Sequence, residues 1–278
     1  MNLTLLKTIK GLMREHGVYP SKRFGQNFLI DKGALRRVIW AADLKPSDVI
    51  LEIGPGLGVL TEELAKRVKK VIAVEKDQLM INILKETLKS FDNTEIILGD
   101  ILKLVSQKNS KINLPENYKV VANLPYYIAN PIIRYFLELA QVTPLQMILM
   151  VQKEVAQRIC AKPPHMTLLA VSVQFYAEPK IVSFVSKKSF WPQPKVDGAI
   201  IKIIPKKTLI RDRDIFFKIV RAGFSQPRKQ IGNNFSKKLK LDKSKVNSWL
   251  LKNGINPTQR AETLNIENWI ELVKNYKI

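Results

Sequence analysis

Val49-Ile50-Leu51-Glu52-Ile53-Gly54-Pro55-Gly56-Leu57-Gly58 is the stretch on which the fold turns. Four of its first five residues are apolar, three of them β-branched, and the run has the length of a buried strand. The run stops at Gly54, and glycines at 54, 56 and 58 let the backbone turn sharply and approach a ligand with no Cβ in the way. A helical pattern, Leu60–Lys66, follows, so the stretch reads strand, tight turn, helix. Ligands of open α/β sheets sit beyond the carboxyl ends of the strands, where strand order reverses. The spacing is G-x-G-x-G. Dinucleotide sites use G-x-G-x-x-G, whose third glycine packs helix on strand. Taken alone, the turn also suits a purely structural role.

Working outward, apolar runs at Val71–Val74, Glu95–Leu98, Lys119–Ala122 and Met147–Val151 alternate with helical patterns at Gln78–Lys89 and Pro131–Leu139. That βαβ alternation predicts a doubly wound, Rossmann-like sheet with helices on both faces. After a helix at Met166–Phe175, two further runs, Ile181–Ser186 and Ala199–Ile204, suit an antiparallel addition to the sheet edge. Pro205-Lys206-Lys207 marks a boundary between domains 1–205 and 206–278. The latter reads as short basic helices at Ile215–Ala222, Lys229–Leu239, Lys243–Leu251 and Ile266–Tyr276.

Acids stand at successive strand ends. Glu75 follows the second strand about twenty residues after the glycines, where a carboxylate can accept from ribose hydroxyls. Asp100, in Gly99-Asp100-Ile101, follows the third, within reach of an adenine amine. Each acid alone is more often a cap; together with the glycine turn they fit an adenosine-bearing cofactor. The fourth strand ends in Asn123-Leu124-Pro125-Tyr126. An exocyclic adenine amine is a poor nucleophile, because its lone pair is delocalised into the ring. The Asn123 oxygen and the Leu124 carbonyl can accept its two N–H bonds and aim the lone pair at a sulfonium methyl. Pro125 stiffens this loop, and Tyr126 offers a ring for an unpaired base. The same four residues also suit an ordinary strand-to-helix turn.

Lys and Arg number 46 against 24 Asp and Glu, a net charge of +22. Residues 206–278 carry 17 of the cations and 6 of the acids, half the surplus. Such an excess favours a polyanionic partner, nucleic acid first, over a surface made basic for solubility. One cysteine, Cys160, forms no disulfide within the chain and fits a reducing cytoplasm. The N-terminal sixteen residues read as an amphipathic helix, and no apolar run reaches the ~20 residues of a membrane span. His16 and His165 have no partner at metal spacing, so no metal is expected. Lys153, Arg158 and Lys162, read as one helix after the fifth strand, suit phosphate contacts, or an Arg158 pair with Glu154.

With these motifs quoted, the sequence resembles the ribosomal RNA small-subunit adenine N6,N6-dimethyltransferase family (KsgA-type) along nearly its whole length. Phe24-Gly25-Gln26-Asn27-Phe28-Leu29 is similar to the family's opening S-adenosylmethionine (AdoMet) segment. Glu52–Gly58, Glu75, Gly99-Asp100 and Asn123–Ile128 match its core motifs, and Phe190–Asp197 and Arg260–Leu264 match its later ones. The resemblance implies AdoMet contacts from Asn27, Leu29, Gly54, Glu75, Asp100 and Asn123, with Gly56 and Ile101 in the same pocket. It implies Phe190 against the target base, opposite Tyr126. The implied reaction is double methylation of two adjacent adenines in the 3′-terminal hairpin loop of 16S rRNA, by a cytoplasmic monomer acting on the immature 30S particle. The chain departs from the family pattern at Phe224-Ser225-Gln226-Pro227-Arg228-Lys229 and at Gly198. Two alternatives stand beside this reading. One is a 23S rRNA adenine methyltransferase of the macrolide-resistance type, disfavoured by Leu124 and the Phe190–Asp197 stretch. The other is a non-catalytic rRNA-binding assembly factor, which would not require Asn123, Tyr126, Glu75 and Asp100 together.

Overall fold

The structure, a computed structural model, describes residues 1–106, 112–207 and 212–276. In chain order the elements begin with α1 (Leu6–Glu15), β1 (Phe28–Leu29), α2 (Lys32–Ala42), β2 (Val49–Ile53), α3 (Val59–Ala65), β3 (Lys70–Glu75) and α4 (Gln78–Thr87). There follow β4 (Thr94–Leu98), α5 (Ile101–Ser106), β5 (Lys119–Asn123), α6 (Ala129–Arg134), β6 (Met147–Gln152), α7 (Lys153–Ile159) and α8 (Leu168–Tyr176). The chain ends with β7 (Ala177–Val185), β8 (Phe190–Trp191), β9 (Gly198–Pro205), α9 (Arg213–Gly223), α10 (Ile231–Leu239), α11 (Lys243–Lys252) and α12 (Ile266–Lys274).

Seven strands form one mixed sheet in the order β4-β3-β2-β5-β6-β9-β7. The pairs β3–β4, β2–β3, β2–β5 and β5–β6 are parallel, and β9 runs antiparallel to β6. Central parallel strands are covered on both faces and therefore read as continuous apolar runs. Val120, Val121 and Met147–Val151 are accordingly buried. The chain lays down β2, β3 and β4 to one side, then crosses back to place β5 on the other side of β2. The switch point thus lies between β2 and β5, and the crevice at their carboxyl ends is where such sheets hold ligands.

Three features depart from the sequence reading. β1 and β8, each two residues long, pair as a separate antiparallel ribbon with Leu29 opposite Phe190 and Phe28 opposite Trp191. A two-residue strand has no periodicity to detect. The helix expected over Pro131–Leu139 is α6 followed by a π-helical segment, Tyr135–Leu139. Pro131 falls in the first turn, where its missing N–H costs no intrahelical bond. Lys162 lies beyond the end of α7, so it does not share a helix with Lys153 and Arg158.

The chain divides into two compact units: Met1–Ala156 with Pro179–Pro205, and Gln157–Glu178 with Lys206–Ile278. The first holds the crevice. The second gathers α8 with the C-terminal helices around aromatic side chains. Phe175 stacks on Phe216 at 4.0 Å, Phe235 packs against Trp249 at 5.1 Å and Phe224 stacks on Trp269 at 5.4 Å. The Met166 N–H donates to the Glu262 carbonyl at 2.9 Å, and the Lys206 N–H to the Tyr176 carbonyl at 2.8 Å. These contacts draw residues 157–178, which the charge pattern left with the sheet domain, into the helical unit. No helix among the described residues is long and apolar enough to cross a membrane.

Candidate active site

At the switch point one cavity is lined by Asn27, Leu29, Gly54, Gly56, Glu75, Asp100, Ile101, Asn123, Leu124, Pro125, Tyr126 and Phe190, together with neighbours on the same loops. All these residues were singled out in the sequence, and the fold brings them to a single place.

The glycine turn supplies the floor. Gly54 and Gly56 have φ of +69° and +58°, a conformation that only glycine adopts without strain. A Cβ at Gly56 would lie 3.1 Å from the Phe28 ring, which would have to give by a few tenths of an ångström to admit it. The Gly54 N–H donates to the Val74 carbonyl at 2.9 Å, which seats the turn against β3.

Glu75, at the end of β3, is 7% exposed. Its Oε2 accepts from the Gly56 N–H at 3.1 Å, and its Oε1 from the N–H groups of Lys76 and Asp77 at 2.7 and 2.8 Å. Burial pushes this carboxyl above its ordinary range, against the pull of those donors. Three of its roughly four acceptor positions are filled, and one on Oε2 remains. Asp100 carries two bonds, from the Leu102 N–H at 3.1 Å and the Lys76 ammonium at 2.8 Å. Burial raises its carboxyl, but the Lys76 bond and charge outweigh that and hold it below the usual range.

Glu52 received no role from the sequence although it heads the glycine motif. It lines the cavity at 1% exposure, and its Oε2 has no hydrogen-bond partner. Burial drives its carboxyl up to about 8, against the pull of the Thr61 hydroxyl and with the Glu75 charge adding to the rise. Ionising a carboxyl this deeply buried is costly unless a cation comes to it.

On the β5 side, Asn123 donates from Nδ2 to the Asn27 carbonyl at 3.2 Å. That bond fixes the side-chain amide and leaves Oδ1 as its free acceptor. The Leu124 N–H continues the sheet ladder to the Met150 carbonyl at 3.1 Å, whereas among the described residues no backbone N–H donates to the Leu124 carbonyl. Pro125, at φ −55°, leads into a single 3-10 turn, Tyr126–Ile128. The Tyr126 hydroxyl is buried with no partner; burial first, then the Asp197 and Glu154 charges, push it up to about 12. Phe190 lines the same cavity but is only 2% exposed.

Three further residues were missed: Gln26, Lys76 and Asp77. Gln26, on the cavity lining, donates to Asp77, just behind it, at 2.7 Å. No short-range pattern announces a contact between residues 51 positions apart.

The sheet order and the site at its switch point define a Rossmann-like methyltransferase. The chain belongs to the ribosomal RNA adenine dimethylase family, whose model matches residues 20–277. It is 45% identical to the ribosomal RNA small subunit methyltransferase A of Dehalococcoides mccartyi, over 98% of this chain and 94% of that protein. The protein of the same name from Moorella thermoacetica is 41% identical, over 94% of each chain. Among solved structures, the 23S rRNA methyltransferase ErmE superposes with a TM-score of 0.74 at 26% identity, covering 91% of this chain and all of that one. A dimethyladenosine transferase from Plasmodium falciparum superposes at 0.73 and 28% identity, covering 88% and 95%.

Proposed function

We propose that this protein is the AdoMet-dependent dimethyltransferase that methylates the N6 amines of two adjacent adenines, in the 3′-terminal hairpin loop of 16S rRNA, during ribosome biogenesis. Relatives named for the small subunit, at 41–45% identity over nearly the whole chain, support this over a large-subunit target. The site residues argue against a purely binding role, since RNA affinity alone requires no free amide oxygen beside an open carbonyl.

The cavity suits AdoMet. The remaining acceptor position on Glu75 fits a ribose hydroxyl, and the free positions on Asp100 fit an adenine amine. The buried Glu52 carboxyl, whose Oε2 has no partner among the described residues, suits a cationic ligand group, and AdoMet carries both a sulfonium and an ammonium. When bound, AdoMet supplies an electrophilic methyl carbon. The protein's part is to aim the amine. Asn123 Oδ1 and the Leu124 carbonyl accept the two N–H bonds of the target N6, favouring a pyramidal nitrogen whose lone pair faces the methyl. Transfer would make the N–C bond as the C–S bond breaks, leaving the neutral thioether S-adenosylhomocysteine, and the proton lost from N6 would pass to water. A second round uses a second AdoMet. Tyr126 and Phe190 offer aromatic faces for the flipped base, with Phe190 uncovered as the base enters. The basic helices of residues 206–278 serve as the RNA-binding domain, and the protein works as a cytoplasmic monomer on the immature 30S particle.

One observation carries the reading: the Asn123 amide is pinned through its nitrogen, with its oxygen left free beside the open Leu124 carbonyl. The test is transfer of labelled methyl from AdoMet to immature small subunits and to naked rRNA, followed by mapping of the modified nucleotides. Label at two adjacent adenines of the 3′-terminal hairpin is expected. Label elsewhere, or none, refutes the assignment.

A further inference from the structure

Residues 20–27 form neither helix nor strand, yet three consecutive members of this strap are each held by residues far along the chain, Gly25 and Asn27 at the β5 side of the cavity and Gln26 at the start of α4. Gly25, at φ +62°, is seated so that a Cβ would lie 3.4 Å from the Tyr127 ring and 3.5 Å from Pro125. Asn27 offers its carbonyl to the Asn123 amide at 3.2 Å. Between them, Gln26 closes the strap on itself and ties it to the opposite side. Its Oε1 accepts from the Ser21 N–H at 2.7 Å, and its Nε2 donates to Asp77 Oδ2 at 2.7 Å. Asp77 is buried, 6% exposed, and rigidly held: its N–H donates to Glu75, and its Oδ1 caps α4 at the Leu79 N–H.

We propose that Gln26 and Asp77 are positioning residues for methyl transfer, acting on Asn123 through the Asn27 carbonyl. The inference rests on the reading of Asn123 as the acceptor for the target amine. The latch fixes the strap, the strap fixes the Asn27 carbonyl, and that carbonyl decides which end of the Asn123 amide remains free. If the strap lifts, the amide can turn over and present its NH2 group, a donor, to an amine whose own N–H bonds need acceptors. The choice of an acid at position 77 supports this. An asparagine would cap α4 equally well and would not add to the like charge beside Glu75. What only the carboxylate offers is a second acceptor oxygen, and that oxygen goes to Gln26. Because an ionised acceptor makes the stronger bond, the latch is a firm one.

The test reverses the polarity of the latch. In Asp77→Asn the introduced asparagine keeps the cap through its oxygen and turns its NH2 toward the Gln26 NH2, so two donors face each other. In the double variant Gln26→Glu/Asp77→Asn the introduced glutamate accepts from that NH2 and from the Ser21 N–H, and the bond is remade with donor and acceptor exchanged. Gln26→Ala and Asp77→Asn should each lower kcat about tenfold, with little change in KM for the RNA, as misplacement of a catalytic group does. The double variant should recover most of that loss. Wild-type kcat in both single variants overturns the proposal, as does an unrelieved loss in a double variant that melts like wild type. If the double variant does not fold, the Asn123 side-chain amide resonance in 15N-labelled Gln26→Ala decides: a shifted signal supports the latch and an unshifted one overturns it. Asn123→Ala, assayed alongside, separates the two readings. Full activity there defeats the role of Asn123 itself, whereas an inactive Asn123→Ala beside unimpaired latch variants defeats the latch alone.

Discussion

The two walls of the cavity differ in how many of their polar groups already have partners. Along β2, β3 and β4, Gly54 bonds Val74, Glu75 gathers three backbone N–H groups, and Asp100 holds Leu102 and Lys76. Along β5, the Asn123 oxygen, the Leu124 carbonyl and the Tyr126 hydroxyl have none among the described residues. The first wall is built by the protein's own hydrogen bonds before any ligand arrives, so its polar groups need no reorganisation. On the proposed reading, the second keeps its acceptors open for a base that must enter, react and leave. A preformed wall acts on affinity. An open one acts on the chemical step, because its bonds are made only with the reacting group.

Substitutions on the two walls should therefore separate in kinetics. The largest effect is expected for Asn123→Ala. Loss of one preorganised acceptor costs on the order of 10² to 10³ in rate, and with the partner bond to Asn27 also gone, transfer should be essentially abolished. Filter binding of rRNA should stay near wild type. On the other wall, Glu75→Ala strips an acceptor from three N–H groups and loosens the turn at Gly56. AdoMet affinity measured by calorimetry should fall about a hundredfold, as expected for a few hydrogen bonds at ~1 kcal/mol each. Comparable kcat losses with unchanged AdoMet affinity in both variants would erase the distinction between the walls.

Glu52 is the exception on the built wall, and its effect depends on pH. In the unfolded chain its carboxyl gives up a proton near 4.5, whereas the folded protein holds it up to about 8. Between those values the folded state binds more protons. Stability thus falls as pH rises through that window and levels off above it. AdoMet affinity should move the other way, rising with pH as the carboxylate forms to meet the cationic ligand. Glu52→Gln should flatten both profiles, read by urea unfolding and by calorimetry between pH 5 and about 8.5. An unchanged stability slope in that variant would remove Glu52 from the argument.

The built wall was also the more legible in sequence. Gly54, Gly56, Glu75 and Asp100 announce themselves through spacing relative to apolar runs, because strand ends and turns are local events. Asn123–Tyr126 was legible for the same reason, being a motif at a strand end. What sequence could not carry is the partner of each group. Gln26 meets Asp77, Asn27 meets Asn123, and Phe190 is brought to the cavity by a two-residue ribbon with Leu29. All are pairings over long chain separation. Glu52 was visible as a letter in the motif, but its near-complete burial is a property of the packed sheet. The grouping of α8 with the C-terminal helices likewise depends on Phe175 meeting Phe216.

The smallest expected effect tests the open wall at its least committed group. The Tyr126 hydroxyl is buried without a partner, so removing it takes away an unsatisfied polar atom and breaks no bond. Deleting such a group is close to neutral for stability, since the desolvation cost disappears with it. Tyr126→Phe should melt at or slightly above the wild-type temperature. If Tyr126 contributes only its ring to the incoming base, kcat and the RNA KM should both stay within about twofold, because stacking survives the loss of the hydroxyl. A large fall in kcat, with the melting temperature unchanged, would mean that the hydroxyl finds its partner only when the base is present. In that case the orphaned oxygen belongs with Asn123 Oδ1 and the Leu124 carbonyl, as a third valence held open for the substrate.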